Sequence, residues 1–198
     1  LLQILDTQSS KNAKGENMKV RHQALLGLVC SAFIGLSAHA AEPQPAAAAG
    51  PTDPQIAAIV VTANTVDIEA GKMAKGKTKN AEVKKFAEQM VTDHTAVNKS
   101  AVDLVTKLKV KPEENDTSKS LKKGGDENLA NLKGLKGKDF DKAYVDHEVA
   151  YHQAVIDALD KTLIPSAQNA ELKALLVKVR PAFVAHLEHA QHLQSTLK

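Results

Sequence analysis

The chain has 198 residues, with 26 lysines and arginines against 23 aspartates and glutamates, a net charge of +3 and only 3% aromatic residues. So even a balance and so few rings give a nucleic-acid-binding surface little to stand on. The single cysteine, Cys30, falls inside an apparent export signal, so neither a disulfide nor thiol chemistry is expected of the folded part.

Residues 1–17 read as upstream of the translated protein. Lys14-Gly15-Glu16-Asn17 can be encoded by a purine-rich ribosome-binding sequence just before Met18, which makes Met18 the expected start and a bacterium the expected source. Residues 18–40 read as a secretory signal peptide. Lys19, Arg21 and His22 precede an apolar run from Ala24 to Leu36, and Ala38-His39-Ala40 has the small-x-small pattern of a cleavage site. The run is shorter than the ~20 residues of a membrane-crossing helix, and no later segment is apolar enough to cross. Lipidation of Cys30 is disfavoured because Leu28-Val29 lacks the small residue expected before such a cysteine. The expected product is a periplasmic or secreted chain from Ala41 with no transmembrane span. Setting aside Lys11, Lys14, Lys19, Arg21, Asp6 and Glu16 leaves it 22 basic and 21 acidic residues.

Residues 41–54, rich in proline and alanine, read as an extended tether, and 55–198 as the folded domain. Asp53-Pro54 is expected to supply the N-cap and first-turn proline of a first helix running to about Lys75. Its apolar stripe is Ile56, Ile59/Val60, Ala63, Val66, Ala70 and Met73. A second helix is expected from about Asn80 to Lys109, with Val83, Phe86/Ala87, Met90, His94, Val97, Ala101 and Leu104 on one face and Pro112 ending it. Residues 111–138 are rich in Lys, Gly, Asn and Asp and read as a long crossover with one short helix near Asp126–Leu132.

A third helix is expected from Asp139 as N-cap to about Leu163, through Phe140, Tyr144, Glu148, His152, Val155 and Leu159, with Pro165 ending it. A fourth runs from about Ala167 to Leu197, through Leu172, Leu176, Val179, Phe183, His186, Ala190 and Leu193, with a kink expected at Pro181. Strand signals are absent. Two short turns and one long connection between the second and third helices predict an all-α antiparallel four-helix bundle.

Several motifs resemble a family of secreted bacterial ferritin-like proteins, the domain of unknown function numbered four-one-four-two, whose members are often labelled outer membrane proteins. The resemblance rests on Asp67-Ile68-Glu69-Ala70-Gly71-Lys72-Met73-Ala74, Phe86-Ala87 with Asp93-His94-Thr95, Phe140-Asp141-Lys142-Ala143-Tyr144 followed by His152, and Pro181 with His186-Leu187 and Ala190. It implies a ferritin-like bundle outside the cytoplasm, with no activity attached. Glu69, Asp93, His94, Asp141, His152 and His186 are its motif positions here.

Three histidines, His94, His152 and His186, fall on apolar faces of three different helices. Burying an imidazole costs free energy unless its ring nitrogens find partners, so the interior holds either a hydrogen-bonded polar layer or a ligand site. The standard di-iron arrangement of such bundles needs Glu-x-x-His on two helices, and this chain contains none. A different site is open, with His94, Glu148, His152 and His186 as candidate ligands of Zn(II), Cu(II), Ni(II) or Fe(II).

Helix rise from the turns near residues 77 and 165 places His152 about 20 Å, His94 and Glu148 about 25 Å, and His186 about 30 Å along the bundle, with Glu69 at about 12 Å. On that spacing His186 only touches the edge of the group. In the polar-layer alternative, Asp93, Asp141, Glu148, Tyr144 and Tyr151 give each imidazole a partner. His186, His189 and His192 at spacing three could chelate a metal at the surface of the fourth helix. No nucleophile triad, phosphate loop or nucleotide motif is present. The expected activity is therefore binding rather than catalysis, with a small ligand or a cell-envelope component as partner. The alternatives are a metal-dependent oxidative-stress role or a pH response of the six histidines beyond Ala40.

Overall fold

The computed structural model describes residues 50–197. The segments read as upstream sequence and as a signal peptide, and most of the one read as a tether, lie outside the described residues. Within them every regular element is helical, and no helix is long and apolar enough to cross a membrane.

Helix α1 (Asp53–Lys77) starts two residues before the expected domain boundary. Its N-cap is Thr52 rather than Asp53: the Thr52 hydroxyl accepts from the Gln55 N–H while the Gln55 side chain accepts from the Thr52 N–H. Asp53 is thereby freed for a distant task. Its two carboxylate oxygens accept from the backbone N–H groups of Gln168 and Asn169, each at 2.9 Å, tying the start of α1 to the entry of the last helix.

Helix α2 (Ala81–Lys107) is capped by Asn80, whose side chain accepts from the N–H groups of Glu82 and Val83. It stops before Pro112 is reached, since Lys109 takes a left-handed φ of 55° and turns the chain out of the helical path.

The crossover holds more helix than expected. Helix α3 (Asp116–Gly134) is 19 residues long, where only Asp126–Leu132 was anticipated. The reciprocal cap between Asn115 and Ser118 starts it early, offsetting the weak helix propensity of Gly124-Gly125. Gly125 has a packing reason as well. A Cβ there would stand 2.7 Å from Val66 Cγ2, so only glycine lets α3 lie this close to α1. Gly125→Ala is therefore expected to lower thermal stability by about 1–3 kcal/mol, overpacking outweighing the ~1 kcal/mol gain in helix propensity. Adding Val66→Ala should reverse the sign, and a loss in Gly125→Ala that Val66→Ala leaves untouched would refute the contact.

Helix α4 (Gly137–Ala158) begins at Lys136 with no side-chain cap, and Asp139 lies inside its first turn rather than capping it. It does not end near Leu163. The chain continues through a π-helical turn, Leu159–Leu163, into the short α5 (Ile164–Ser166), where Pro165 is tolerated as an early helical residue. Helix α6 (Ala170–Thr196) is capped by Asn169 and runs through Pro181 without interruption. Proline removes the donor for the Val177 carbonyl, but Val177 is 53% exposed, so water is at hand. Arg180, beside it, donates to both Asp160 oxygens at 2.6 and 2.7 Å and fastens the π-helical turn to α6.

α1 packs on α2 and α3, α4 on α6, and α2 on α6. Two apolar clusters result. One gathers Ile56, Ile59, Ala101, Ile156, Leu163 and Leu172. The other gathers Ala74, Val83, Phe86, Phe140, Tyr144 and Leu193. Between their members, in each of the four long helices, the sequence places buried polar residues: Asn64 and Asp67 in α1, His94 in α2, Glu148 and His152 in α4, His186 in α6.

Candidate metal centre

Each long helix contributes to the polar layer by the same periodicity that builds the core. In α1 the buried stripe Val60, Asn64, Asp67, Gly71, Ala74 advances by three or four residues, so Asp67 points inward and Glu69, two residues on, is exposed. His94 follows Met90 by one turn in α2, and His152 follows Glu148 by one turn in α4. His186 lies between Phe183 and Ala190 in α6. His94, His152 and His186 are at most 2% exposed, and Asp67 and Glu148 1%.

The three imidazoles face one another. His94 and His186 have ring centroids 5.2 Å apart, His94 and His152 5.5 Å, and His152 and His186 5.4 Å. His186 is thus a full member of the group, not its edge. The rise estimate misjudged it because it counted from residue 165, whereas the helical path after α4 continues through the π-helical turn and α5 to Ser166 and α6 starts only at Ala170, which leaves His152 and His186 at nearly equal distances from the turn. His94 was counted from a turn beside the other apolar cluster. The turn after α1 belongs with the Phe86 cluster, through Ala74 and Val83, whereas the turn before α6 belongs with the Ile56 cluster, through Leu163 and Leu172.

One nitrogen of each ring is fixed by an acceptor. His94 Nδ1 lies 2.9 Å from Asn64 Oδ1, His152 Nδ1 3.0 Å from the Glu148 carbonyl oxygen, and His186 Nε2 2.9 Å from Asp93 Oδ2. Those acceptors require the proton to sit on the fixed nitrogen of a neutral ring. The lone pair is left on the other nitrogen: His94 Nε2, His152 Nε2 and His186 Nδ1. Among the described residues these nitrogens have no hydrogen-bond partner, and neither do the two Asp67 oxygens.

The polar-layer alternative named the wrong partners in part. Asp93 and the Glu148 backbone serve His186 and His152, but Asn64 serves His94. Tyr151 donates to the Ala63 carbonyl instead, Tyr144 lies against the Glu148 carboxyl, and Asp141 Oδ1 has no partner among the described residues.

Asp67 Oδ2 stands 3.2 Å from His94 Nε2 and 3.6 Å from His152 Nε2, and Glu148 Oε2 lies 3.4 Å from His152 Nδ1. One donor atom from each of His94, His152 and His186 lies within 4.8 Å of the others, and the same holds for Asp67, Glu148 and His152. Donors around a tetrahedral ion at ~2.1 Å stand about 3.4 Å apart, so the contacts of Asp67 with His94 and His152 already have first-sphere spacing. Among the described residues the ion-pair partners of Asp67 and Glu148 are imidazoles, with no lysine or arginine.

Electrostatics follow from that burial. Desolvation pushes Asp67 well above the usual carboxylate range, with Glu148 beside it adding to the shift. It pushes Glu148 up to about 8. Burial also holds His94 well below the ordinary imidazole value, reinforced by His152 and His186, and lowers His186. Two desolvated carboxyls facing three lone pairs therefore lack positive charge at their centre.

His147 and the remaining predicted residues lie outside this centre. His147 stacks on Tyr151 with ring centroids 5.6 Å apart, and burial brings it down to about 4. His189 is half-buried, its Nδ1 3.3 Å from Gln89 Oε1, and His192 is exposed. Asp141 is buried near the start of α4.

The model of a family described as a domain of unknown function (DUF4142) matches residues 37–193. No curated protein and no solved structure matches the chain.

Proposed function

The chain belongs to the DUF4142 family, a name that assigns no activity, and we propose that it is a non-catalytic binding protein whose ligand is a divalent transition metal held in the polar layer. Asp67, His94, His152 and His186 would be the ligands, with Glu148 supplying a second negative charge at the ion. The observation that carries this reading is the set of five atoms on four buried side chains, Asp67, His94, His152 and His186, that have no partner among the described residues and lie on the faces that meet there. Buried polar atoms left unpaired cost about 1–3 kcal/mol each, so a purely structural layer would be poorly satisfied. A metal removes that cost at one stroke.

The surrounding acceptors support the same reading. Metal-ligating histidines almost always donate their other N–H to a carboxylate, a backbone carbonyl or a comparable acceptor. Here Asp93, the Glu148 carbonyl and Asn64 fill those places. Imidazole with carboxylate suits Zn(II), Cu(II), Ni(II) or Fe(II).

We further infer a ferritin-like antiparallel bundle from the order of the two apolar clusters along the chain. α1 and α6 run from the Ile56 cluster to the Phe86 cluster, and α2 and α4 run the other way. The crossover bearing α3 then joins two helices of the same direction. Export to the periplasm or cell envelope rests on the signal-like residues 18–40.

Elemental analysis of protein purified without a His-tag tests the metal reading. One divalent metal per chain is expected, and metal-stripped protein should regain thermal stability on addition of Zn(II). Stripped protein that melts at the same temperature with and without every one of the four metals would overturn it.

A further inference from the structure

We propose that the domain also binds the alkyl chain of a small amphiphile, in an apolar cavity beside the imidazole layer. The cavity has a volume of about 290 Å³ and is walled by α1, α2, α4 and α6, with α3 across its rim. Ile59, Val60, Val97, Val155, Leu176 and Val179 supply most of its apolar wall. An apolar cavity of ~150 Å³ suffices to hold a benzene ring. This one is about twice as large, enough for an unbranched chain of about eight carbons at the ~30 Å³ that a small group such as a water molecule occupies in a liquid.

Three features show that the space is built rather than left over. Its wall includes Ala63, Ala154 and Ala158, where a larger apolar side chain would fill the void. Leu159, Thr162 and Leu163 also line it, so the π-helical turn forms part of the wall. Such turns are rare and frequent at functional sites. The polar groups inside are already engaged. Asn64 donates from Nδ2 to the Val60 carbonyl at 2.8 Å and accepts at Oδ1 from His94, and Tyr151 donates to the Ala63 carbonyl at 2.8 Å.

With no free polar atom in its depth, the cavity selects hydrocarbon. Polar groups come at the rim, where half-buried Thr117 and exposed Thr162 stand beside Pro51. A head group placed there keeps its water while the chain goes in. The inference does not rest on the metal reading, since the cavity is lined by none of the proposed ligands and the two sites share Asn64, Tyr151 and Phe183 as neighbours.

N-phenyl-1-naphthylamine, a probe that fluoresces in apolar surroundings, tests this directly because the chain contains no tryptophan. Metal-stripped protein of residues 41–198 should give saturable fluorescence that octan-1-ol and octanoate both displace. Ala154→Phe, which fills the cavity, should weaken probe binding at least tenfold. Ala158→Leu serves as the milder variant if Ala154→Phe fails to fold, and Val102→Ser, on an exposed apolar side chain, should change nothing. Binding that does not saturate, is displaced by neither octyl compound, or persists in folded cavity-filling variants would overturn the proposal.

Discussion

Asp67→Asn is expected to stabilise the metal-free protein while removing its response to metal. The carboxylate is 1% exposed, neither oxygen has a hydrogen-bond donor, and a second buried carboxyl stands close by. An isosteric amide removes the cost of charging a desolvated group and should raise metal-free stability by about 1–2 kcal/mol. The same change deletes the oxygen facing His94 and His152, so the ~2.7 kcal/mol that a ligand at a hundred times its dissociation constant confers should disappear. Thermal melts with and without Zn(II) measure both effects. A layer built for structure predicts the opposite sign: loss of stability in the metal-free variant and no dependence on metal.

His152→Ala should have the largest effect on affinity, since His152 belongs to both donor groups in the layer. Losing one of four ligands is expected to weaken Zn(II) binding by about a thousandfold, beyond the 10–100-fold typical of changes in the outer shell. His94→Ala should behave alike. His189→Ala is the internal control, because that imidazole is half-buried and engaged with Gln89. Isothermal titration of the four proteins decides the location. Binding lost in His189→Ala but retained in His152→Ala would move the site to the surface row of α6.

Much of this centre was legible because helical periodicity fixes which way a side chain points. His94, Glu148, His152 and His186 could be placed on core faces from their spacing to Met90, Tyr144 and Phe183. Asp67 was missed although the signal was present. It lies three residues after Asn64 and four before Gly71 on the buried stripe, but the apolar stripe read through α1 followed Val66 and Ala70, and the acid singled out was Glu69, which is exposed. Asn64, the partner of His94, carried no sign of its own, since the pairing depends on how α1 meets α2. Relative height failed for a different reason: Pro165 was read as the break, but it is tolerated early in α5 and the turn comes only at residues 167–169, which shifts the origin from which His152 and His186 are counted. α3 was underread because a cap at Asn115 and close packing at Gly125 outweigh two glycines in mid-helix.

The pairing of Asp67 with Glu148, with no lysine or arginine among the described residues in contact, also bears on valence. Three neutral imidazoles and the two buried carboxylates offset a dication within the layer, where the apolar clusters on either side exclude water, while the third carboxylate, Asp93 on the far nitrogen of His186, is 40% exposed and shares its charge with solvent. A trication would leave one uncompensated charge in a medium of low dielectric, where such a charge is far more costly than in water. The layer thus favours the lower oxidation state of any ion that can change its own. If iron entered, it would be held ferrous at a raised reduction potential, making this bundle a poor place to store oxidised iron and a suitable one to carry a metal unchanged.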